Sequence, residues 1–322
     1  MSRISESTWP ALPIQEWQAT CTTLHLWTQV IGKIRLALTP WLNHSWHVPL
    51  YVSPRGLRTS TIPYNHVEFE LTFDFIDHAL EIDVSTGTKA RIALRPQSVA
   101  HFYEHVMSTL EHLGITVAIN ELPAEIPNAV LFSDDHEHAS YDPEYANRFW
   151  RVLIQVDRVF KHFRTGFVGK ASPVHFFWGS FDLAVTRFSG RRAPPFEGKT
   201  PGLALDVMRE AYSHEVSSAG FWPGAVGVSD ACFYSYAYPQ PEGYASRAVE
   251  PADAHYSETL KEFVLPYEDV RVAANPDALI LAFLQSTYVA AASAAEWDRG
   301  ALECSLGVPG KAIELPVPNP RA

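Results

Sequence analysis

Two histidines and two carboxylates in the second half of the chain are the residues best suited to chemistry. His175 and Asp182 lie in one run of aromatic and β-branched residues, and His214 and Glu215 lie in a second such run. Imidazole and carboxylate groups are ligands for a divalent metal such as zinc or iron(II). They are equally suited to metal-free general acid–base catalysis. The sequence predicts these four as catalytic or metal-binding residues and leaves both chemistries open.

The polar residues around Asp182 recur with the period of a β-strand. Ser180, Asp182 and Thr186 alternate with apolar neighbours, and unpaired burial of such groups costs a few kcal/mol each. The strip must therefore face water or find partners. Gly179 marks a bulge if the strand is irregular, which would bring His175 onto the polar face. Without a bulge, His175 and Arg187 lie on the opposite face.

Seven further residues are predicted to bind a substrate; they are Trp178, Ser180, Arg187 and Tyr212 in the second half and His25, Gln29 and Lys33 in the first. The last three are spaced four residues apart, so they form one stripe on a helix. Such a stripe fits a solvated helix face. It also fits a pocket wall that holds a carboxylate or phosphate.

The first half combines helices with a run of short strands. A helix is predicted from Ile14 to Leu38, before Pro40, and another from Ser98 to Leu113. A period of two and turn residues predict strands between and after these helices. These are His47–Ser53, Leu57–Ile62, Val67–Ile76, Leu80–Val84, Lys89–Leu94 and Ile115–Ile119.

The second half repeats this order of elements. Asp142 and Pro143 are a good cap and first residue for a second long helix. Strands are predicted at Val174–Trp178, Phe181–Phe188, Ala211–Ser218 and Cys232–Tyr238, and a last helix at Pro276–Ala295. The fold class is therefore α+β, with antiparallel β-meanders packed by long helices. The common order is compatible with two structurally related α-β-α halves and with coincidence.

These elements predict five segments of chain. They are an N-terminal extension (1–13), a first half (14–122), a linker loop (123–142), a second half that carries the site (143–304) and a disordered Pro-rich tail (305–322). If the halves face each other, a cleft between them is a natural ligand site.

Composition excludes several classes of protein. With 25 Lys and Arg against 36 Asp and Glu, the net charge is −11, so a sequence-independent grip on nucleic acid has no electrostatic basis. The most apolar stretch, from Ala278 to Ala295, is interrupted by polar residues and fits a buried helix better than a membrane span. Three distant cysteines and the lack of a signal-like start predict a cytoplasmic protein without disulfides or a zinc knuckle.

The negative charge is distributed unevenly. Residues 1–140 carry 8 Lys and Arg against 15 Asp and Glu, whereas residues 141–322 carry 17 against 21. The second half is thus the better suited of the two to meet an anion.

Three segments carry a resemblance to a known family: TLHLWTQ (Thr23–Gln29), HFFWGSFDLAVTRFSGR (His175–Arg191) and YSHEVSSAGFWPG (Tyr212–Gly224). Through them the chain resembles a bacterial family catalogued only as a domain of unknown function. The resemblance implies membership of that family and assigns no catalytic residue.

The sequence favours an enzyme that acts on a small polar or anionic molecule through the His and carboxylate site. Two alternatives stay open: a non-catalytic module that binds a small molecule, and a structural or interaction protein whose polar strip is a hydrogen-bond network. Phosphate-binding glycine motifs and the G-x-S-x-G nucleophile elbow are absent from the sequence, so it names no reaction.

Overall fold

The computed structural model describes residues 7–224 and 230–308 and confirms the α+β class. Two six-stranded antiparallel sheets are packed by helices. The predicted tail and extension lie partly outside the described residues, at 309–322 and 1–6.

The first sheet follows a long N-terminal helix. Its strand order is β1-β2-β4-β5-β6, and β3 pairs with β4. The elements are α1 (Ile14–Leu38), β1 (Tyr51–Ser53), β2 (Gly56–Arg58), β3 (Ile62–Tyr64), β4 (Val67–Asp74), β5 (Ala79–Val84), β6 (Lys89–Ala93) and α2 (Val99–His112).

The second sheet has the order β11-β12-β10-β9-β8-β7. Its elements and the helices around it are α3 (Pro143–Arg164), β7 (His175–Phe177), β8 (Asp182–Arg192), α4 (Leu205–Ala211), β9 (His214–Trp222), β10 (Cys232–Tyr238), β11 (His255–Ser257), β12 (Glu262–Pro266), α5 (Tyr267–Val272), α6 (Pro276–Ala294) and α7 (Arg299–Leu302). As predicted, the Asp142 side chain caps α3, accepting hydrogen bonds from the Glu144 and Tyr145 amides.

Helix α1 lies at the centre of the molecule. Its bounds match the prediction, but every residue from Thr23 to Arg35 is buried, polar ones included. Trp27 stacks on Phe102 and Tyr141 at 4.7 and 5.6 Å. A helix buried on all sides must satisfy its polar side chains inside the protein.

The two sheets meet edge to edge. Leu50, just before β1, exchanges two backbone hydrogen bonds of 2.8 Å with Phe176 of β7. A single apolar core joins residues of both halves with Ala124 and Phe132 of the connecting loop. The relation of the halves as a repeat stays a prediction.

Several elements differ from prediction, and the predicted strand Leu57–Ile62, for example, is divided between β2 and β3. The chain reverses in a hairpin at residues 178–181, with Phe181 in the left-handed region at φ 59°, so neither a bulge nor a continuous strand joins His175 to Asp182. Residues 115–119 form no strand. Strands β11 and β12 had no predicted counterpart, because three and five residues are too few to show a period of two.

Helix α6 is long and apolar enough to cross a membrane by length and composition alone. Its buried residues include Ile280, Phe283 and Leu284, and the helix contacts α3, α5, β9 and β10. This packing fits the core helix that its interrupting polar residues predicted.

Candidate functional site

One face of the second sheet carries most of the polar side chains near Asp182. In an antiparallel sheet, residues directly opposite each other point to the same face. The register aligns Thr186 with Ser218 and Ser218 with Tyr236, and one step further it aligns Tyr236 with Glu262. Asp182 lies on this face, four residues from Thr186 along β8. We call this surface the carboxyl face.

Asp182 is held by two hydroxyl groups. Ser180, in the hairpin, donates to its Oδ1, and Tyr234 of β10 donates to its Oδ2. Tyr234 reaches across β9 because Gly220 leaves room: a Cβ there would lie 2.3 Å from the Tyr234 hydroxyl. Burial raises the pKa of Asp182 to about 6, against the opposing effect of the two hydrogen bonds.

A chain of hydroxyl groups crosses the same face. Thr186 Oγ1 and Ser218 Oγ are 2.8 Å apart, and the hydroxyl groups of Tyr236 and Tyr212 are 3.0 Å apart. The Tyr212 ring stacks on Phe196 at 5.2 Å. Thr186, Tyr212 and Tyr236 are half-buried, so solvent reaches this row.

Two further carboxyls approach the carboxyl face from other segments. Glu262 lies on β12, and one of its oxygens is buried without a hydrogen-bond partner. Glu125 comes from the loop before α3, and a Cβ on Gly179 would lie 2.2 Å from its Oε1. Burial, and then the charge of Asp182, raise the pKa of Glu125 to about 7 and that of Glu262 to about 8.

No cation balances these carboxyls within the described residues. Neither Lys, Arg nor His forms an ion pair with Glu125, Asp182 or Glu262. A buried carboxyl without a cation is costly when ionised, and such groups concentrate at functional sites.

Helix α1 positions Glu125. Gln29 donates from Nε2 to the Ala124 carbonyl at 2.8 Å and accepts from the Ala124 amide at 2.7 Å. His25 Nε2 contacts the Gly179 carbonyl at 2.9 Å, and Lys33 donates to the Leu122 carbonyl at 2.7 Å. The stripe of His25, Gln29 and Lys33 is thus buried, and the expected solvated face was wrong.

Burial sets the protonation state of His25 and lowers the pKa of Lys33. Burial lowers the pKa of His25 to about 4 and that of Lys33 to about 8. His25 is therefore neutral near pH 7. The stripe binds backbone carbonyls of the protein itself, which leaves Lys33 Nζ engaged with Leu122 and not with an anion.

The four residues predicted as one catalytic or metal-binding set do not assemble. Glu215 lies on the opposite face and binds Arg191 at 2.7 Å. His214 lies at the far end of β9, where its Nδ1 contacts Ser213 Oγ. Phe188 of β8 faces Val216, so six residues, about 20 Å of strand, separate Asp182 from this end.

His175 lies closer to Asp182 but makes no hydrogen bond to it. Its ring packs edge-on against Phe177, 4.5 Å away, and its Nδ1 has no partner. Burial, then the charges of Arg164 and Arg35, lower its pKa to about 3. A neutral, enclosed imidazole fits packing better than proton transfer near pH 7.

The described part of the chain holds no group of three or more His, Cys, Asp or Glu that could bind a metal. The expected zinc or iron(II) ligand set is therefore not assembled there.

Two other predicted binding residues are engaged elsewhere. Arg187 is fully buried behind the carboxyl face, where it donates to the Phe163 carbonyl at 2.6 Å and lies 3.6 Å from the Phe163 ring centre. Trp178 donates to the Val48 carbonyl and packs on Gly32, whose added Cβ would lie 2.2 Å from the indole. Both hold the fold together.

The match to a family model settles what the chain is related to. The model described as "Family of unknown function (DUF5996)" matches residues 9–304. The chain belongs to this family. No curated protein and no solved structure matches it.

In this DUF5996 chain, sequence reasoning missed Glu125, Glu262, Tyr234 and Tyr236. Glu125 lies in the predicted linker loop, and Glu262 lies in a segment for which no helix or strand was predicted. The signal available was the alternation of Tyr234, Tyr236 and Tyr238 along β10, which places three tyrosines on one face.

Replacing Gln29 with leucine tests whether the clamp on Ala124 holds the site. Gln29→Leu leaves two buried backbone groups unpaired, so we expect a loss of roughly 2–6 kcal/mol in the free energy of unfolding, at about 1–3 kcal/mol per group. Urea denaturation measures this loss of stability. In hydrogen-exchange experiments the Ala124 amide should exchange faster in the variant than in the wild type. Gln18→Leu, on an exposed face of α1, is the control. Equal stability of the two variants would contradict the clamp.

The raised pKa values predict that stability falls as pH rises. Between its ordinary pKa of 4.5 and about 8, Glu262 keeps its proton in the folded protein and loses it in the unfolded one. In this range such a group lowers the free energy of unfolding by about 1.4 kcal/mol for each unit by which the pH rises. Glu262→Gln should therefore flatten the slope by about that amount between about pH 5.5 and 7. Glu268→Gln, at an exposed ion pair, should not; equal slopes for both would refute the assignment.

Proposed function

We propose that the chain binds a small polar molecule, uncharged or cationic, on the carboxyl face and moves protons on it through Glu125 and Asp182. The observation that supports this most strongly is the Gln29 clamp. It holds Glu125 against the hairpin of Asp182, where neither carboxyl has a cation.

The two carboxyls suit opposite tasks. With a pKa of about 6, Asp182 is mainly ionised at pH 7 and accepts a proton from a substrate hydroxyl or amine. With a pKa of about 7, Glu125 is close to half protonated and donates its proton to a substrate oxygen or nitrogen. In this step Asp182 gains one proton from the substrate and Glu125 gives one proton to it, so the substrate's proton count is unchanged. Exchange with water then returns both carboxyls to their starting states.

The rest of the face orients the substrate. Hydroxyl groups of Thr186, Tyr212 and Tyr236 offer hydrogen bonds, and the free oxygen of Glu262 offers another. Trp222 lies 4.1 Å from Tyr234, centre to centre, and supplies an aromatic wall. At pH 7 the ionised Asp182 and the partly ionised Glu125 repel anions. The proposal therefore narrows the expected polar or anionic substrate to a polar or cationic one.

A binding module without catalysis is the second candidate. The aromatic and hydroxyl groups of Trp222, Tyr212 and Tyr236 favour it, since they bind sugars or amines without proton transfer. The cytoplasmic location and the absence of nucleic-acid and membrane partners are parts of the proposal that rest on composition alone.

A thermal-shift screen followed by a conversion assay tests the function. Sugars, polyols and alkylamines are screened at pH 7 against carboxylates and phosphates, and we expect only the uncharged or cationic compounds to raise the melting temperature. Glu125→Gln and Asp182→Asn should keep binding but slow conversion of a hit by about 10²–10⁴-fold.

Asp83→Asn, at an exposed ion pair in the first sheet, is the matched control and should convert at the wild-type rate. Wild-type rates in both site variants would overturn proton transfer. A hit that binds and is never converted supports the binding module, and hits confined to anions contradict both.

A further inference from the structure

A second cluster lies farther along β8 and β9, at the end opposite Asp182. Its members come from both halves of the chain and are His44, Trp46, Lys170, Phe188, Arg192, Glu210 and His214. We call it the His44 cluster. Arg192 of β8 and Asp182 lie at opposite ends of that eleven-residue strand, about 30 Å apart.

The backbone at His44 is held in an uncommon conformation. His44 and Ser45 both lie in the left-handed region, with φ of 55° and 54°, which residues other than glycine rarely adopt. Both oxygens of the Glu210 carboxylate accept the His44 amide, at 2.9 and 2.7 Å. Backbone strain that neighbouring groups maintain is typical of ligand sites.

The hydrogen bonds of His44 fix its tautomer. Nδ1 lies 3.1 Å from the Ala211 carbonyl, which can only accept, so Nδ1 carries the proton. Nε2 is then bare and accepts from the Lys170 ammonium at 2.6 Å. His44 thus remains neutral and holds Lys170 in place.

Lys170 presents an ammonium group that forms no ion pair within the described residues, although the charge of Glu210 acts on it. The ammonium lies 5.3 and 4.8 Å from the ring centres of Trp46 and Phe188, and it has three protons, of which His44 takes one. No carboxylate in the described ranges comes within ion-pair distance of it, and Glu210 is engaged by the His44 amide.

Two more nitrogen groups belong to the cluster, Arg192 and His214, and His214 lies within reach of the charges of both Lys170 and Arg192. Arg192 faces His214 directly across β8 and β9, and no partner of its guanidinium occurs among the described residues. The His214 ring is 5.9 Å from that of His44 and is half-buried. A chain of net charge −11 thus gathers Lys170, Arg192 and His214 with one carboxylate that is already bound.

We propose that Lys170, Arg192 and His214 form a binding site for a small oxyanion, a phosphate or a carboxylate group. Ammonium and guanidinium donors are the groups that bind such oxygens most strongly. The neutral His44 acts as a positioning residue, because it orients Lys170 and does not itself touch the anion. This site goes beyond the proposed function and is independent of it.

Titration with inorganic phosphate and with acetate, followed by the NMR signals of the histidine rings, tests this site. Ionic strength is held constant with chloride, and His214→Gln assigns the His214 signal. We expect a saturable shift of that signal with at least one anion, and a dissociation constant at least tenfold higher in Lys170→Gln and in Arg192→Gln. Lys89→Gln, on the first sheet, should bind as wild type.

The two anions distinguish the two sources of the ligand. Saturation by phosphate alone indicates a phosphate ester, and saturation by acetate alone indicates a carboxylate. Arg192→Gln removes a side chain without a described partner, so it reports on binding even if Lys170→Gln disturbs His44. A shift no larger than that caused by chloride, or one unchanged in both variants, would overturn the site.

Discussion

The pairing of the Gln29 side chain with both backbone groups of Ala124 is the constraint on which the carboxyl face depends. Helix α1 is buried around its whole circumference between Thr23 and Arg35, so its polar side chains must find partners inside the protein. They find them in the connecting loop and in the 178–181 hairpin. Because His25 holds Gly179 and Gln29 holds Ala124, the helix fixes the distance between two segments that are far apart in sequence. Glu125 and Asp182 are brought together as a consequence.

The charges of the molecule are separated along the second sheet. Three carboxyls share one face without a cation, whereas Lys170, Arg192 and His214 share the far end of β8 and β9 with the already engaged Glu210. Ion pairs between the carboxyls and the nitrogen groups would neutralise both, yet the fold keeps them apart. Buried carboxyls that must keep a proton and cations that form no ion pair both cost stability, and real proteins tolerate such groups at functional sites. The carboxyl face is therefore suited to proton transfer and the His44 cluster to anion binding.

Sequence patterns predicted the elements better than the site. The bounds of α1 and the strand Cys232–Tyr238 follow from local periodicity and match the structure. Ser180 and Asp182 were singled out because polar residues in a hydrophobic run need partners, and the structure gives them each other as partners. Glu125 and Glu262 could not be identified, because they reach the face through a loop clamp and a strand pairing that no local pattern reports. The prediction for His175 did not foresee the hairpin that separates it from Asp182. The prediction for Arg187 did not foresee its complete burial, because a buried strand and an open one show the same alternation of residues.

The protonation of the carboxyl face is the central claim, and infrared spectroscopy tests it most directly. The C=O stretch of a protonated carboxyl is separate from the bands of a carboxylate. At pH 6, where ordinary Asp and Glu side chains are ionised, the wild type should show this band, and Glu125→Gln and Glu262→Gln should each remove part of it. A spectrum with no protonated carboxyl at pH 6, or one unchanged in both variants, would contradict the account.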